Sequence, residues 1–257
     1  MAHDFSPHER FSQRVSDYVR SRPGYPAEVL TITAEELQLP HDCTVADIGS
    51  GTGIFSRLLL EAGYRVWGVE PNGAMRQAAE EQFRDNPKYV SLPGSSEQTG
   101  LPDGSVQLVT AAQAFHWFDL HRTRREFVRI LQSPGNVLLV WNDRKRDGSD
   151  FLRGYDQFLT THGIDYVELM QQSEEKVAAL TNFFDPGTYR RRTLSSSQQF
   201  DFTQFVDRVL SSSYVPGKQH PQHATAMEAL EELFIEHCSN GLVTFEYDVN
   251  MHLGQVS

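Results

Sequence analysis

Residues 45–59, VADIGSGTGIFSRLL, hold the densest chemistry in the chain. Three glycines, Gly49, Gly51 and Gly53, follow a short apolar run and open an amphipathic helix pattern. A glycine-rich turn between strand and helix lets backbone approach a nucleotide and tolerates positive φ. An acidic residue ending the next strand is the expected acceptor for ribose hydroxyls. Glu70 stands there, 23 residues after Asp47. The spacing is G-x-G-x-G, whereas a pyrophosphate wants G-x-G-x-x-G with a helix N-terminus aimed at it. Asp47, two residues before the first glycine, would repel a pyrophosphate and attract a cationic ligand. S-adenosylmethionine carries an ammonium and a sulfonium and no phosphate, so it fits this loop better than a nicotinamide dinucleotide. A nicotinamide-dependent oxidoreductase and a non-catalytic cofactor-binding protein on the same fold are the competing expectations.

Other residues with chemical potential lie further along. His116 falls just past the predicted fourth strand, at the ligand edge of an open α/β sheet. An ordinary pKa of about 6.5 suits it to general-base work, but within Phe115–Phe118 a packed aromatic wall with a hydrogen-bonded histidine is the stronger reading. Trp117, Phe118 and Trp141 can offer ring faces to a cation or pack in the core. Tyr25 and Tyr214 can close over a site or only pack. Among ten histidines, neither His220/His223 nor His116/His121 has the spacing of two ligands on one helical face. No metal is expected.

The elements that must position these residues follow from periodicity. Residues 8–20 suit a short helix, broken by SRPGYP, and Pro26 suits the first turn of the next helix, AEVLTITAEELQL. Then strands alternate with helices: TVADI, a helix from about Gly53, YRVWGVE, PNGAMRQAAEEQF, KYVSL, VQLVTAA, HRTRREFVRIL ended by Pro134-Gly135, and NVLLVW. Near-continuous apolar strands in this order imply a parallel sheet buried on both faces. After Trp141 the alternation stops. Residues 143–186 suit helical pieces, TYRRRTLS an edge strand, FTQFVDRVLSSSY and TAMEALEELFIEHC helices, and LVTFEYDVNMHLGQV a final strand.

Thirty-four acidic against 23 basic residues leave a net charge of −11. That excess disfavours nucleic acid and anionic lipid as partners. No run approaches the roughly 20 apolar residues of a spanning helix, and the polar N-terminus has no apolar signal core. Two distant cysteines suit a reducing compartment. The expectation is a cytoplasmic protein.

Several further motifs carry a resemblance. Beside the glycine loop stand Val69–Asn72 with Met75, Gly94–Glu97 followed by LPDGSVQLV, and AQAFHWFD at Ala112–Asp119. Tyr18–Pro26 reads Y-x-x-x-R-P-x-Y-P, Val140–Asn142 reads V-W-N, and Ser213–Pro216 reads S-Y-V-P. Together these resemble class I S-adenosylmethionine-dependent methyltransferases, in the small-molecule branch with the AQAFHWFD motif that includes trans-aconitate methyltransferase-like proteins. The resemblance implies a Rossmann-like α/β fold, with a seven-stranded, mostly parallel sheet, a last antiparallel strand, helices on both faces and helical lid insertions. It implies one domain over 1–257. Within it, 1–40 would be an N-terminal lid, 41–142 the cofactor core, 143–241 insertion and lid, and 242–257 the last strand. Asp47, Gly49, Ser50, Gly51 and Gly53 would line the methionine portion, and Glu70 would hold the ribose. Asn72 and Met75 would flank the adenine, with Ser95, Ser96 and Glu97 at its edge. Gln113 and Ala114 would lie beside the sulfonium, and Arg22 would pair with the cofactor carboxylate. The acceptor would be a small molecule, with no nucleic acid and no membrane involved. Gln107, Asn136 and the Asp143-Arg144-Lys145 run depart from the branch pattern.

Overall fold

The computed structural model describes residues 23–171, 180–212 and 214–257. Seven strands form one sheet in the order β3-β2-β1-β4-β5-β7-β6. The strands are β1 Thr44–Ile48, β2 Arg65–Val69, β3 Tyr89–Leu92, β4 Val106–Ala112, β5 Leu131–Arg144, β6 Tyr189–Phe200 and β7 Val243–Gln255. β1 to β5 are mutually parallel, and β7 runs antiparallel between β5 and β6. This is the expected Rossmann-like sheet with its single reversed strand.

Helices cover both faces because the strands are apolar on both sides. On one face Val45, Val66, Leu108, Leu138 and Val140 meet α1 (Glu28–Leu37) and α2 (Ile54–Glu61) through Val29, Leu30, Phe55 and Leu59. On the other, Ile48, Val109, Leu139 and Trp141 meet α4 (Leu120–Ile130), which contributes Phe127 and Ile130. The helix α3 (Gly73–Gln82) between β2 and β3 is capped by Asn72, whose Oδ1 accepts from the N–H groups of Ala74 and Met75. One expected boundary is wrong. The chain leaves α4 at Ile130, before the Pro134-Gly135 pair, and enters β5 through an irregular stretch. Val106 pairs with Leu131, but Leu108 already pairs with Asn136.

The last two strands do something the alternating pattern does not announce. β7 pairs with β5 only from Tyr247 onward, while its start, from Val243, pairs with β6 alone. The β6–β7 ribbon therefore projects past the C-terminal end of β5. Phe245 and Tyr247 on this projection nucleate a separate aromatic cluster. It joins α5 (Asp150–His162), α7 (Phe202–Leu210) and α8 (His223–His237) through Tyr155, Phe205 and Leu230. A short helix, α6 (Leu180–Phe184), packs instead with α4. The ligand edge of a parallel sheet is its C-terminal edge, so this layer stands as a roof over that edge. No helix among the described residues is long and apolar enough to cross a membrane.

Candidate functional site

β1 delivers Asp47 and then the glycine turn. Gly49 and Ser50 N–H groups both donate to the Val69 carbonyl, at 2.8 and 3.2 Å, which folds the loop across the end of β2. Gly49 needs its missing Cβ twice over: its φ is +68°, and a Cβ would meet Ala114 Cβ at 2.6 Å. Gly53 is likewise closed off by Phe83. At both positions the missing Cβ lets the loop pack closely on what lies behind it. Gly51, with only Met75 Sδ at 3.9 Å, is the open one.

Asp47 is 1% exposed. Its Oδ2 accepts from Ser56 Oγ at 2.6 Å and its Oδ1 from Thr110 Oγ1 at 2.9 Å. Burial pushes its carboxyl up from 3.8 to about 6; the two hydroxyls oppose this, and the nearby Glu70 charge adds to it. Glu70, directly after β2, stitches the loop together. Its Oε2 accepts from the Gly51 N–H at 2.9 Å and its Oε1 from the Asn72 N–H at 2.8 Å. Two carboxylates therefore sit at adjacent strand ends, one held by hydroxyls and one by backbone.

A cleft open to solvent runs along this edge. Its floor includes Asp47, Gly49, Ser50, Gly51 and Thr52. Gln113 follows β4 in the left-handed region at φ 56°, and its Nε2 donates to the Asn142 carbonyl at 2.9 Å. Asn142, on β5, donates from Nδ2 to the Gly24 carbonyl at 3.0 Å, and Tyr25 packs edge-on against Phe55 at 5.0 Å. The segment around Pro23–Tyr25 is thereby fastened across the cleft, which it lines with Phe55. Arg208, from α7 in the roof, completes the wall.

Of the residues expected at the site, Tyr25, Asp47, Gly49, Ser50, Gly51 and Gln113 line this cleft. Glu70, Asn72 and Met75 gather behind Gly51, around the end of β2. Gly53 and Ala114 are packing residues beneath the loop. Ser96 and Glu97 dock onto the start of α4. Ser96 Oγ accepts from Thr123 Oγ1 at 3.0 Å, Glu97 Oε1 accepts from the Asp119 N–H at 3.0 Å, and Ser95 bridges to Gln98. His116 lies in a single 3-10 turn, its ring 4.7 Å from Trp117, and does not border the cleft. Trp117 faces solvent. Trp141 is buried edge-on against Phe115 and His252, and Tyr214 packs on Tyr166. Arg22 and Ser213 lie outside the described residues.

Sequence reasoning missed Arg208 and the lining role of Asn142. Arg208 sits on a helix some 150 residues from the glycine loop. Its only local signal is a cation at a position whose helical neighbours, Phe205 and Val209, are core residues.

The cleft has unmet polar groups suited to a ligand of mixed charge. Thr52 Oγ1 and Asn142 Oδ1 are buried in its wall without a hydrogen-bond partner among the described residues. Buried polar atoms are seldom left so. With an anionic floor at Asp47 and no basic residue in the glycine loop, the arrangement fits an adenosine cofactor bearing cations.

An open α/β sheet with this strand order, a glycine turn and acidic residues at the ends of β1 and β2 defines a nucleotide-cofactor enzyme of Rossmann-like type. A family model described as a methyltransferase domain matches residues 46–139. A methyltransferase of Geobacillus is 30% identical over 155 residues, covering 57% of this chain and 72% of its own. An uncharacterized methyltransferase of Mycobacterium tuberculosis is 37% identical over 135 residues, 52% of either chain. The chain thus spans about half the length of several curated relatives it matches. A structure assigned to a type II methyltransferase of Anaeromyxobacter dehalogenans shares the fold. Its TM-score is 0.67 at 22% identity, over 91% of this chain and 97% of that one. The chain belongs to the methyltransferase family, in its class I, S-adenosylmethionine-dependent form.

Proposed function

We propose that the protein transfers a methyl group from S-adenosylmethionine to a small-molecule acceptor. The observation that carries this reading is one cleft holding buried Asp47, the open Gly51 turn and the unpartnered Thr52 and Asn142 oxygens. S-adenosylmethionine, when bound, supplies a methyl carbon already activated by its sulfonium. Asp47 would then face the ammonium and Glu70 would accept from the ribose hydroxyls; the cofactor carboxylate falls to Arg22 by the resemblance alone. Gln113 and Asn142 orient the acceptor from the ends of β4 and β5. Tyr25 and the roof helices exclude water. Alignment and desolvation of this kind supply up to about 7–11 kcal/mol.

His116 is the base available for an alcohol or amine acceptor. Its place outside the cleft wall favours an acceptor that needs no proton removed. The net charge of −11 and the roofed cleft favour a small molecule over nucleic acid. The domain is read as a cofactor core over 41–142, lid elements over 1–40 and 143–241, and a closing strand over 242–257. A cytoplasmic setting suits its composition.

Thermal melts test the reading. S-adenosylmethionine or S-adenosylhomocysteine at about 100 times its dissociation constant should add roughly 2.7 kcal/mol, and NAD nothing. A shift with NAD alone would refute it. So would salt-sensitive micromolar binding of tRNA or duplex DNA with methyl incorporation.

A further inference from the structure

We propose that Asn142 is a positioning residue that couples the Pro23–Tyr25 segment to the cofactor. One end of its amide holds that segment, and the other accepts a hydrogen bond from the ammonium of S-adenosylmethionine. This rests on the methyltransferase reading above and deepens it. Asn142 then orients the acceptor at one remove, through the segment it fastens over the cleft.

Asn142 is 8% exposed, and its main chain is pinned from two sides. It pairs with Val249 on β7, and its carbonyl accepts from Gln113 Nε2 at 2.9 Å. Its side chain reaches a segment 118 residues away, where Nδ2 donates to the Gly24 carbonyl at 3.0 Å. A carbonyl oxygen can only accept, so the amide nitrogen has to be the end that faces Gly24. That bond settles which way round the amide stands and turns Oδ1 away from the segment. Asn142 lines the cleft, and its buried Oδ1 has no donor among the described residues. A buried acceptor left without a donor is costly, and its retention points to a donor that arrives with a ligand.

Sheet order selects the donor. Along the ligand edge the strands run β2, β1, β4, β5. Glu70, Asn72 and Met75 gather at the β2 end, which suits ribose and adenine, so the amino-acid end of the cofactor points toward β4 and β5. Polar partners are missing on that side. Thr52 Oγ1, 2% exposed and also unpartnered, borders the same cleft. Asp47 is the one acidic residue bordering it among the described residues and supplies the charge. Its two oxygens already accept from Ser56 and Thr110. A carboxylate has about four acceptor sites, and an ammonium brings three N–H donors, so Asp47 alone is one acceptor short. Asn142 Oδ1 makes up the set. The two ends of one planar amide move together. Ligand at Oδ1 therefore keeps Nδ2 on Gly24, and the fastened segment keeps Oδ1 toward the ligand. By linkage, each raises the other by the same factor.

The test compares wild type with Asn142→Leu and Asn142→Asp. Leucine is close in size and apolar. Aspartate keeps an acceptor oxygen for the ligand but sets a second oxygen against the Gly24 carbonyl. S-adenosylhomocysteine and 5′-methylthioadenosine, which lacks the amino-acid end, are titrated by calorimetry. Hydrogen exchange is followed in the peptide spanning residues 23–30. In wild type, S-adenosylhomocysteine should slow exchange there and 5′-methylthioadenosine should not. Asn142→Leu should weaken S-adenosylhomocysteine by about tenfold or more and leave 5′-methylthioadenosine within about twofold. Asn142→Asp should hold S-adenosylhomocysteine within about threefold of wild type, its charge offsetting the lost closure. Neither variant should show ligand-induced protection of the peptide. Equal weakening of both ligands in Asn142→Leu would overturn the proposal by making Asn142 a merely structural residue. Unchanged S-adenosylhomocysteine affinity in Asn142→Leu would also overturn it, as would Asn142→Asp binding as weakly as Asn142→Leu, or protection surviving in either variant. If Asn142→Leu does not fold, Asn142→Asp decides alone, and unfolding of both counts against the proposal. Failure of wild type to bind S-adenosylhomocysteine would sink the methyltransferase reading itself.

Discussion

Replacing Asp47 by Asn should stabilise the ligand-free fold at neutral pH while abolishing cofactor binding. Asp47 is 1% exposed, and its carboxyl titrates at about 6 in the folded protein against 3.8 ordinarily. A rise of roughly 2 units at 1.36 kcal/mol each makes the ionised form cost about 3 kcal/mol. The sign follows from proton binding. Between about pH 4 and pH 6 the folded state holds a proton that the unfolded state has released, so stability falls as pH rises through that window and stays low above it. Asn carries no charge and keeps both hydroxyl partners, since its Oδ1 accepts from one and its Nδ2 donates to the other. The variant should therefore gain about 1–3 kcal/mol at pH 7 and nothing at pH 4. At about 2–4 °C per kcal/mol for a domain of this size, that is about 2–12 °C in melting temperature. Melts of both proteins between pH 4 and 8, without ligand, measure it. A variant less stable than wild type at pH 7, or a gap that ignores pH, would refute the reasoning. The companion measurement is calorimetry with S-adenosylmethionine. An Asp47→Asn protein that binds it with wild-type affinity would show that the buried charge serves no ligand.

Glu70→Ala removes the acceptor of two backbone N–H groups, Gly51 and Asn72, so it should cost about 2–4 kcal/mol of stability as well as cofactor affinity. Glu70→Gln keeps one acceptor oxygen and should lose about half as much; denaturant melts and S-adenosylhomocysteine titration on both variants separate the two roles. Gly49→Ala places a Cβ 2.6 Å from Ala114 Cβ at a φ of +68°, and should cost about 2–4 kcal/mol from left-handed strain and overpacking. A urea midpoint equal to wild type would contradict that geometry.

Local patterns determined much of this protein. TVADI and VQLVTAA become β1 and β4 with the residues read from their apolar runs, because strands buried on both faces leave no polar alternation to blur their limits. The glycine turn and Glu70 were legible because a strand, a tight turn and a helix in succession constrain one another within a few residues. Tertiary structure decided the rest. Nothing in LVTFEYDVNMHLGQV says that it inserts antiparallel between β5 and β6, since alternation reports a face and not a partner. That insertion carries the β6–β7 ribbon past β5 and seats the aromatic cluster over the cleft. Ser96 and Glu97, placed near adenine by resemblance alone, are bonded to α4 and its N-cap. Arg208 and Asn142 reach the site only through packing and pairing across more than 60 residues of chain. A buried cation on a helix reads locally as a core defect; only the folded chain shows the cleft it faces.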